Sequence, residues 1–340
     1  KLKFRKIMPK VDWILINKKD DRLNTKNKEK SSIACLLAYF EGSQYIKDQI
    51  QSIIDQKTNN LNISLFISDD YSKESFPSLE ELNLENLKNI NIFYRKLKKN
   101  VGYANNFLFS LKDINTKFDY FCFSDQDDIW LDNKIATAVK TIEKYPKGIS
   151  FLYGGRTSYF DKECNQKIGD SLLIKKIPSF KNAIIQNISG GNTMLFNNEA
   201  RKIIVKTIKK NLNTVSHDWW CYQIISGTGG ITYYDKCSFV KYRQHSKNLL
   251  GANNSLKARL FRIKNLLNGK FRIWNNINMN NLKNNINLLT KENQKILKDF
   301  EKCRNSSLLK RLILLRSIGI YRQTIAGNLA LFFAVILNRI

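Results

Sequence analysis

The sequence predicts an α/β protein built on a mostly parallel, doubly wound sheet, and three observations carry that prediction. Residues 32–40 form a continuous apolar run, as expected of a strand covered on both faces. Between residues 32 and 145, four strand-like runs alternate with helical stretches at short spacing, the pattern of strand–helix–strand units. Two of the runs end in clustered carboxylates, and an open α/β sheet binds ligands beyond the carboxyl ends of its strands.

Residues 1–30 are polar and Lys-rich and read as a basic extension, with one short strand at 11–16. The first strand of the sheet, 32–40, turns at Glu41-Gly42-Ser43 into a helix over 45–56, whose apolar stripe is Tyr45, Ile46, Ile50, Ile53 and Ile54. A second strand, 61–67, runs into Ser68-Asp69-Asp70-Tyr71-Ser72, and a third covers 90–94. Asn100-Val101-Gly102 opens a helix that reaches Leu111. The fourth strand, 118–123, runs into Ser124-Asp125-Gln126-Asp127-Asp128-Ile129-Trp130. A helix over 133–145 is stopped by Pro146-Lys147-Gly148.

The second half is less regular. Strands are predicted at 149–160, 193–196, 231–234 and 238–242, and helices at 179–188, 200–211 and from His217 to Ser226. Ser189-Gly190-Gly191-Asn192 is a turn before a strand, and Tyr242-Arg243-Gln244-His245 follows the last one. From residue 253 onward the pattern is helical and basic.

A chain of 340 residues can bury a sizeable core, as two domains or one domain with an appendage. The net charge of +28 is concentrated at the ends: residues 251–340 hold 17 Lys+Arg against 3 Asp+Glu, and residues 1–30 hold 11 against 4. Basic ends point to an anionic partner, on top of a Lys- and Asn-rich bias in composition. No helix-turn-helix, RNA-recognition or zinc-finger signature is present, so nucleic acid is not the expected partner. The six cysteines are scattered with no C-x-x-C, which suggests neither a zinc site nor a disulfide framework and fits a reducing cytoplasm. Residues 1–30 lack the long apolar core of a secretory signal.

The chemistry concentrates on residues 121–130. Asp125 and Asp127 stand two apart, so one turn can aim both at a single point. Two such carboxylates repel unless a cation sits between them, and oxygen ligands suit Mg²⁺ or Mn²⁺, which complete their shells with water and substrate phosphate. An acidic turn capping a helix is the plainer use of Asp-x-Asp. Asp70 falls at another strand end, so the fold would bring it to the same rim.

In that order, the segments resemble the inverting, metal-dependent glycosyltransferases of the GT-A fold, and more narrowly the bacterial family 2 enzymes of the rhamnosyltransferase-like branch that builds O-antigen and capsule. Leu37-Ala38-Tyr39-Phe40-Glu41, Ser68-Asp69-Asp70-Tyr71-Ser72, Asn100-Val101-Gly102, residues 124–130 and Tyr242-Arg243-Gln244-His245 carry the likeness, which covers roughly residues 32–250. It implies a GT-A domain over 31–250, with a nucleotide-sugar-binding half at 31–130 and an acceptor half at 131–250, followed by a basic amphipathic tail over 251–340. Ala38, Asp70, Asn100, Gly102 and Asp125 would bind the donor. Asp127 would be the direct metal ligand, with Asp125 nearer the ribose and His245 reaching back to the metal or diphosphate. Gly190, Gly191, Asn192 and Trp219 would meet the acceptor, and Asp218 would be the catalytic base. The chain departs from the family at His217-Asp218, where Glu-Asp is common, and at Ser246, where Gly is usual.

Each role has a plainer counterpart in the residues themselves. Asp218 fits a helix N-cap equally well, and His245 an ordinary polar loop. The tryptophans Trp130, Trp219 and Trp220 suit a core as well as a sugar platform, and Arg95 reads as a solvated charge. Should Asp218 not be the base, His217 is the next candidate.

Two rival readings remain at this point. A nucleotidylyltransferase would share the sheet, metal and nucleotide, but its Gly-rich basic loop after the first strand is absent, because no Lys or Arg lies between Phe40 and Lys47. A non-enzymatic basic scaffold for membrane or nucleic acid would leave the strand-end acids unexplained. The apolar stretch 329–337 is too short to span a bilayer and suits an interfacial helix. The expectation is therefore a cytoplasmic enzyme, peripheral at an anionic inner membrane face, acting on a lipid-linked saccharide acceptor. A helical cap or a homodimer contact is the other use of such a tail.

Overall fold

The computed structural model describes residues 12–20, 30–57, 61–114, 117–209, 212–245, 264–265 and 267–340. Most of the basic extension, and the start of the basic tail at 246–263, lie outside them. The elements are β1 (Ile14–Asn17), β2 (Ser31–Tyr39), α1 (Ser43–Ile54), β3 (Leu61–Asp69), α2 (Leu79–Leu82), β4 (Asn91–Lys96), α3 (Tyr103–Asp113), β5 (Tyr120–Ser124), β6 (Ile129–Trp130), α4 (Lys134–Ile142), β7 (Phe151–Phe160), β8 (Lys167–Asp170), α5 (Phe180–Ala183), β9 (Leu195–Asn197), α6 (Asn198–Thr207), α7 (His217–Gly227) and β10 (Ile231–Arg243). Among the described residues, the helices α8 (Lys270–Asn284), α9 (Lys291–Arg304), α10 (Leu308–Ile318) and α11 (Ile325–Ile336) follow.

One sheet joins the strands in the order β1-β4-β3-β2-β5-β9-β7-β10-β6, with β8 on β7. β4, β3, β2 and β5 are mutually parallel, as the alternation predicts. The chain moves outward from β2 through β3 to β4, then returns to place β5 on the other side of β2. A crevice therefore opens between the carboxyl ends of β2 and β5, the switch point where such sheets bind ligands. β9 runs antiparallel to both β5 and β7, while β7 and β10 are parallel. The sheet is thus mixed beyond β5, in the second half of the chain where sequence periodicity was weakest.

Strand alternation builds two cores. Ala34 and Leu36 of β2 face a cluster with α3, α6 and α7, whereas Ile33, Cys35 and Leu37 face α1 and α4. This two-sided burial is why residues 32–40 are apolar throughout. The predicted strands at 231–234 and 238–242 are one strand, β10, with register shifts between Asp235 and Lys241. The predicted helix at 179–188 keeps one turn, α5. β1 pairs antiparallel with β4, so the extension supplies an edge strand.

Arg95 is a correction. It is buried, not solvated, with its guanidinium on Ser68 and Ser110 and ion-paired at 2.8 Å with Asp113. A charged group this deep persists because each of its three nitrogens has a partner, one of them a carboxylate. The tail is also more than an appendage. Met279, Leu282, Phe300, Leu331, Ala334 and Val335 belong to the same apolar cluster as α3 and α7.

Candidate active site

Three strand ends frame the crevice. β3 delivers Asp70, whose carboxylate accepts from the backbone N–H groups of Val101 (2.7 Å) and Gly102 (2.8 Å). Asn100 joins this turn by donating to the Asp70 carbonyl at 3.1 Å. Gly102 holds φ at 82°, a conformation that a side chain would strain, and caps α3. Burial pushes the Asp70 carboxyl up to about 6, against the pull of those two N–H donors. Ala38 lies near the carboxyl end of β2, in register with Ser68.

β5 delivers the Asp-x-Asp turn. Gln126, between the two acids, locks that turn to the end of β2: its amide accepts from Phe40 N–H at 2.7 Å and donates to Phe40 C=O at 3.0 Å. Gly42 makes room for it, since a Cβ there would lie 2.3 Å from the Gln126 amide carbon. The Phe40–Ser43 loop is thereby committed to positioning the acids.

Arg243 clamps the same turn from the far side of the sheet. It donates to the Asp127 carbonyl at 2.9 Å, to the Lys162 carbonyl at 2.6 Å and to the Asp48 carboxylate at 2.7 Å, while its guanidinium lies 4.8 Å from the Tyr45 ring centroid. His245 stacks on that tyrosine at 4.8 Å, and its Nε2 is 2.8 Å from an Asp127 carboxylate oxygen. His245, expected to reach back to the metal or diphosphate, thus lies on the Asp127 carboxylate. Arg243 and Gln126 were missed in the sequence, although both stand inside the segments that carry the family likeness.

Asp125 is pushed up to about 8, by burial first and then by Asp127 and Asp218. Tyr103, in the first turn of α3, is raised to about 12 by burial and by Asp218 and Asp125. Asp125, Asp127 and Asp218, distant in sequence, therefore share one field. Among the described residues no three His, Cys, Asp or Glu side chains are placed to hold a metal ion by themselves. Carboxylate oxygens such as those of Asp125 and Asp127 are the ligand type that suits a hard divalent cation, which takes most of its shell from diphosphate and water.

The Gly190-Gly191-Asn192 segment packs against the acidic turn. Asn192 is buried and donates to Asp128 at 2.5 Å, so its amide serves the acidic turn. Asp128 is held well above the usual carboxylate range by burial and by Asp127 and Asp125. Beneath it Lys134 is buried, its ammonium 3.5 Å from the Trp130 ring centroid and its proton affinity lowered by burial. Gly191 presses on His217, with a Cβ there only 2.1 Å from Nε2. Gly190, beside it, is exposed.

His217 is buried between Phe107 (4.2 Å, stacked) and Phe123 (4.8 Å, edge-on), and neither ring nitrogen has a hydrogen-bond partner. Burial lowers its proton affinity to about 4, so it is neutral, and the apolar cage argues against it as the base. Asp218, half-buried in the first turn of α7, accepts from Trp219 N–H at 2.6 Å. Trp219 corrects the sequence reading. Its indole is 5% exposed and donates to the Ala183 carbonyl at 2.7 Å, which places it in the core and not under a sugar.

Comparison with known proteins meets this geometry. Residues 34–209 match the family described as Glycosyl transferase family 2. The chain belongs to glycosyltransferase family 2. It is a nucleotide-sugar-dependent glycosyltransferase with a GT-A fold. It is 32% identical, over 67% of its length and 78% of the relative's, to a dTDP-rhamnosyl transferase, RfbG, of Shigella flexneri. An uncharacterized glycosyltransferase of Rickettsia conorii is 27% identical over 42% of this chain and 22% of its own. Among solved structures, S. aureus TarS 1-349 in complex with UDP-GlcNAc aligns with a TM-score of 0.50 at 12% identity, covering 90% of each chain, a likeness of fold alone. Among the described residues, no helix is long and apolar enough to cross a membrane.

Proposed function

We propose that this glycosyltransferase is an inverting, metal-dependent rhamnosyltransferase that moves rhamnose from a dTDP-linked donor to a hydroxyl of a growing, lipid-linked surface polysaccharide such as O-antigen or capsule. The observation that carries the mechanism is the Asp125–Asp127 turn at the carboxyl end of β5, fixed by Gln126 and Arg243, with Asp218 near enough to help raise the Asp125 carboxyl. The donor sugar rests on the 32% identity to a dTDP-rhamnosyl transferase.

In this reading Ala38, the turn of Asp70, Asn100 and Gly102, and Asp125 bind the donor, with Asp70 acting through the backbone it orders. Asp125, Asp127 and His245 would hold Mg²⁺ or Mn²⁺, which when bound neutralises charge on the leaving diphosphate. Gly190 and Gly191 face the acceptor. The acceptor oxygen forms its bond to the anomeric carbon as the bond from that carbon to the diphosphate oxygen breaks. The diphosphate leaves with the electron pair, and the acceptor's proton passes to the Asp218 carboxylate. Family membership gives inversion its basis.

The test is turnover on a panel of nucleotide sugars with Mn²⁺, with and without EDTA. Cleavage of dTDP-rhamnose that EDTA abolishes is expected. Equal cleavage of several unrelated donors would remove rhamnose from the proposal, and EDTA-insensitive transfer would remove the metal.

A further inference from the structure

One face of the tail is covered by none of the described residues. α11 buries Leu331, Ala334 and Val335 against the core, yet its outward side is also apolar: Ile325 is 83% exposed, Phe333 56% and Leu329 55%, with Phe332 and Leu337 beside them. The helix carries no charged residue at all. A soluble helix places polar residues opposite its core stripe, and one that is apolar all round is covered by something. The patch extends beyond the helix. Ile177, 84% exposed, follows Lys176, whose ammonium donates to the Arg322 carbonyl just before α11.

Charge says what covers it. Residues 305–340 contain five Lys and Arg and no Asp or Glu. Lys310 and Arg316 are exposed on α10, which packs beside α11, and exposed Arg339 follows its end. Lys181 approaches Gly319 at the other end of the same segment. A two-fold contact between copies would set this cationic rim against itself with no acid from the segment to offset it. An anionic lipid surface meets both features, the apolar face entering the acyl boundary and the cations lying among headgroups.

We infer that α11, with Ile177 and the flanking cations, is an interfacial anchor that docks the enzyme on an anionic bilayer. This deepens the proposed function, since a lipid-linked acceptor would lie in the same plane, but the docking does not depend on the sugar or the metal. Helix insertion at the boundary needs no spanning segment: twelve residues lie in the plane of the interface, not across it.

The experiment uses the full chain and vesicles, read separately from catalysis. Cosedimentation is measured on phosphatidylglycerol-rich and on pure phosphatidylcholine vesicles, at low and high salt. Two variants accompany the wild type: Ile325→Ser/Phe332→Ser/Phe333→Ser, and Lys310→Glu/Arg316→Glu. All the substituted side chains are exposed, and unchanged melting temperatures confirm folding. Wild-type binding to the anionic vesicles is expected. The apolar variant should lose at least about tenfold in partition coefficient, and the charge variant roughly fivefold for each cation removed, with the latter loss disappearing at high salt. Absence of wild-type binding, or binding unchanged in both variants, overturns the inference. Sedimentation velocity showing a wild-type dimer that the apolar variant converts to monomer, without vesicle binding, assigns the face to a second copy instead.

Discussion

The two sides of the crevice are built by different means. On the donor side the polar groups that shape the site are engaged by the protein itself. Asp70 takes two backbone N–H groups, Gln126 makes two bonds to Phe40, and Arg243 joins three segments. Across from it, at the start of α7, His217 lies buried with no partner for either ring nitrogen. A pre-bonded turn holds its geometry without a ligand, as binding a diphosphate in a fixed pose requires. An unpartnered buried group shifts its proton affinity instead, and that tunes chemistry more than it positions it.

The sharpest break of this contrast is Asp218→Asn. With the donor side untouched, donor KM should stay near wild type while kcat falls by ~10²–10⁴, the contribution of a general base. Steady-state kinetics on a rhamnose donor with a soluble acceptor measures both. Normal turnover would move the base elsewhere. Arg243→Lys attacks the other side. A lysine cannot reproduce three directed bonds to Asp127, Lys162 and Asp48. Outer contacts of this kind are worth ~10–100-fold in metal affinity, so Mn²⁺ half-saturation should rise by that factor with a smaller change in kcat at saturating metal. An unchanged Mn²⁺ dependence would show that the clamp does not position Asp127.

What the sequence made legible follows the same division. β2 through β5 and their acids were readable because two-sided burial writes itself as continuous apolar runs, and switch-point geometry then fixes where they end. His245 was expected to reach back to the metal or diphosphate; its Nε2 lies on the Asp127 carboxylate, 118 residues away in sequence. Trp219 and Arg95 were misread because burial of a long amphipathic side chain depends on partners far away in sequence. Ala183 lies 36 residues from Trp219, and Ser68 lies 27 from Arg95. The split of β10 was a misreading of a bulge as a gap between two strands. Asn192 was expected to meet the acceptor, but it is buried and donates to Asp128, 64 residues away, a partner that no local pattern announces.

A smaller effect is expected from Gly191→Ala. The new Cβ would lie 2.1 Å from Nε2 of His217, a ring that Phe107 and Phe123 hold in place. Overpacking of this kind costs ~1–3 kcal/mol. Urea denaturation should show that loss, and His217→Ala in the same chain should relieve a good part of it. Additive losses in the double variant would mean that the backbone, not the imidazole, resists the methyl group.

The smallest effect, and the most specific to the acceptor side, is on acid stability. Burial brings the proton affinity of His217 down from its ordinary 6.5 to about 4, with Asp218 opposing weakly. Between those two values the unfolded chain binds a proton at this position and the folded chain does not, so stability contributed by the neutral ring rises with pH across that window. Above the window it is fully present, and it is lost as pH falls through it. His217→Leu removes the titration while keeping an apolar side chain in the cage of Phe107 and Phe123. Its melting temperature at neutral pH will be lower, because the leucine fits the cage less closely. Its further drop between pH 7 and pH 5 should be smaller than wild type's, because carboxylates elsewhere titrate equally in both proteins. Parallel melting curves against pH would mean that the folded imidazole binds its proton as easily as the unfolded one, and that water or a side chain reaches it.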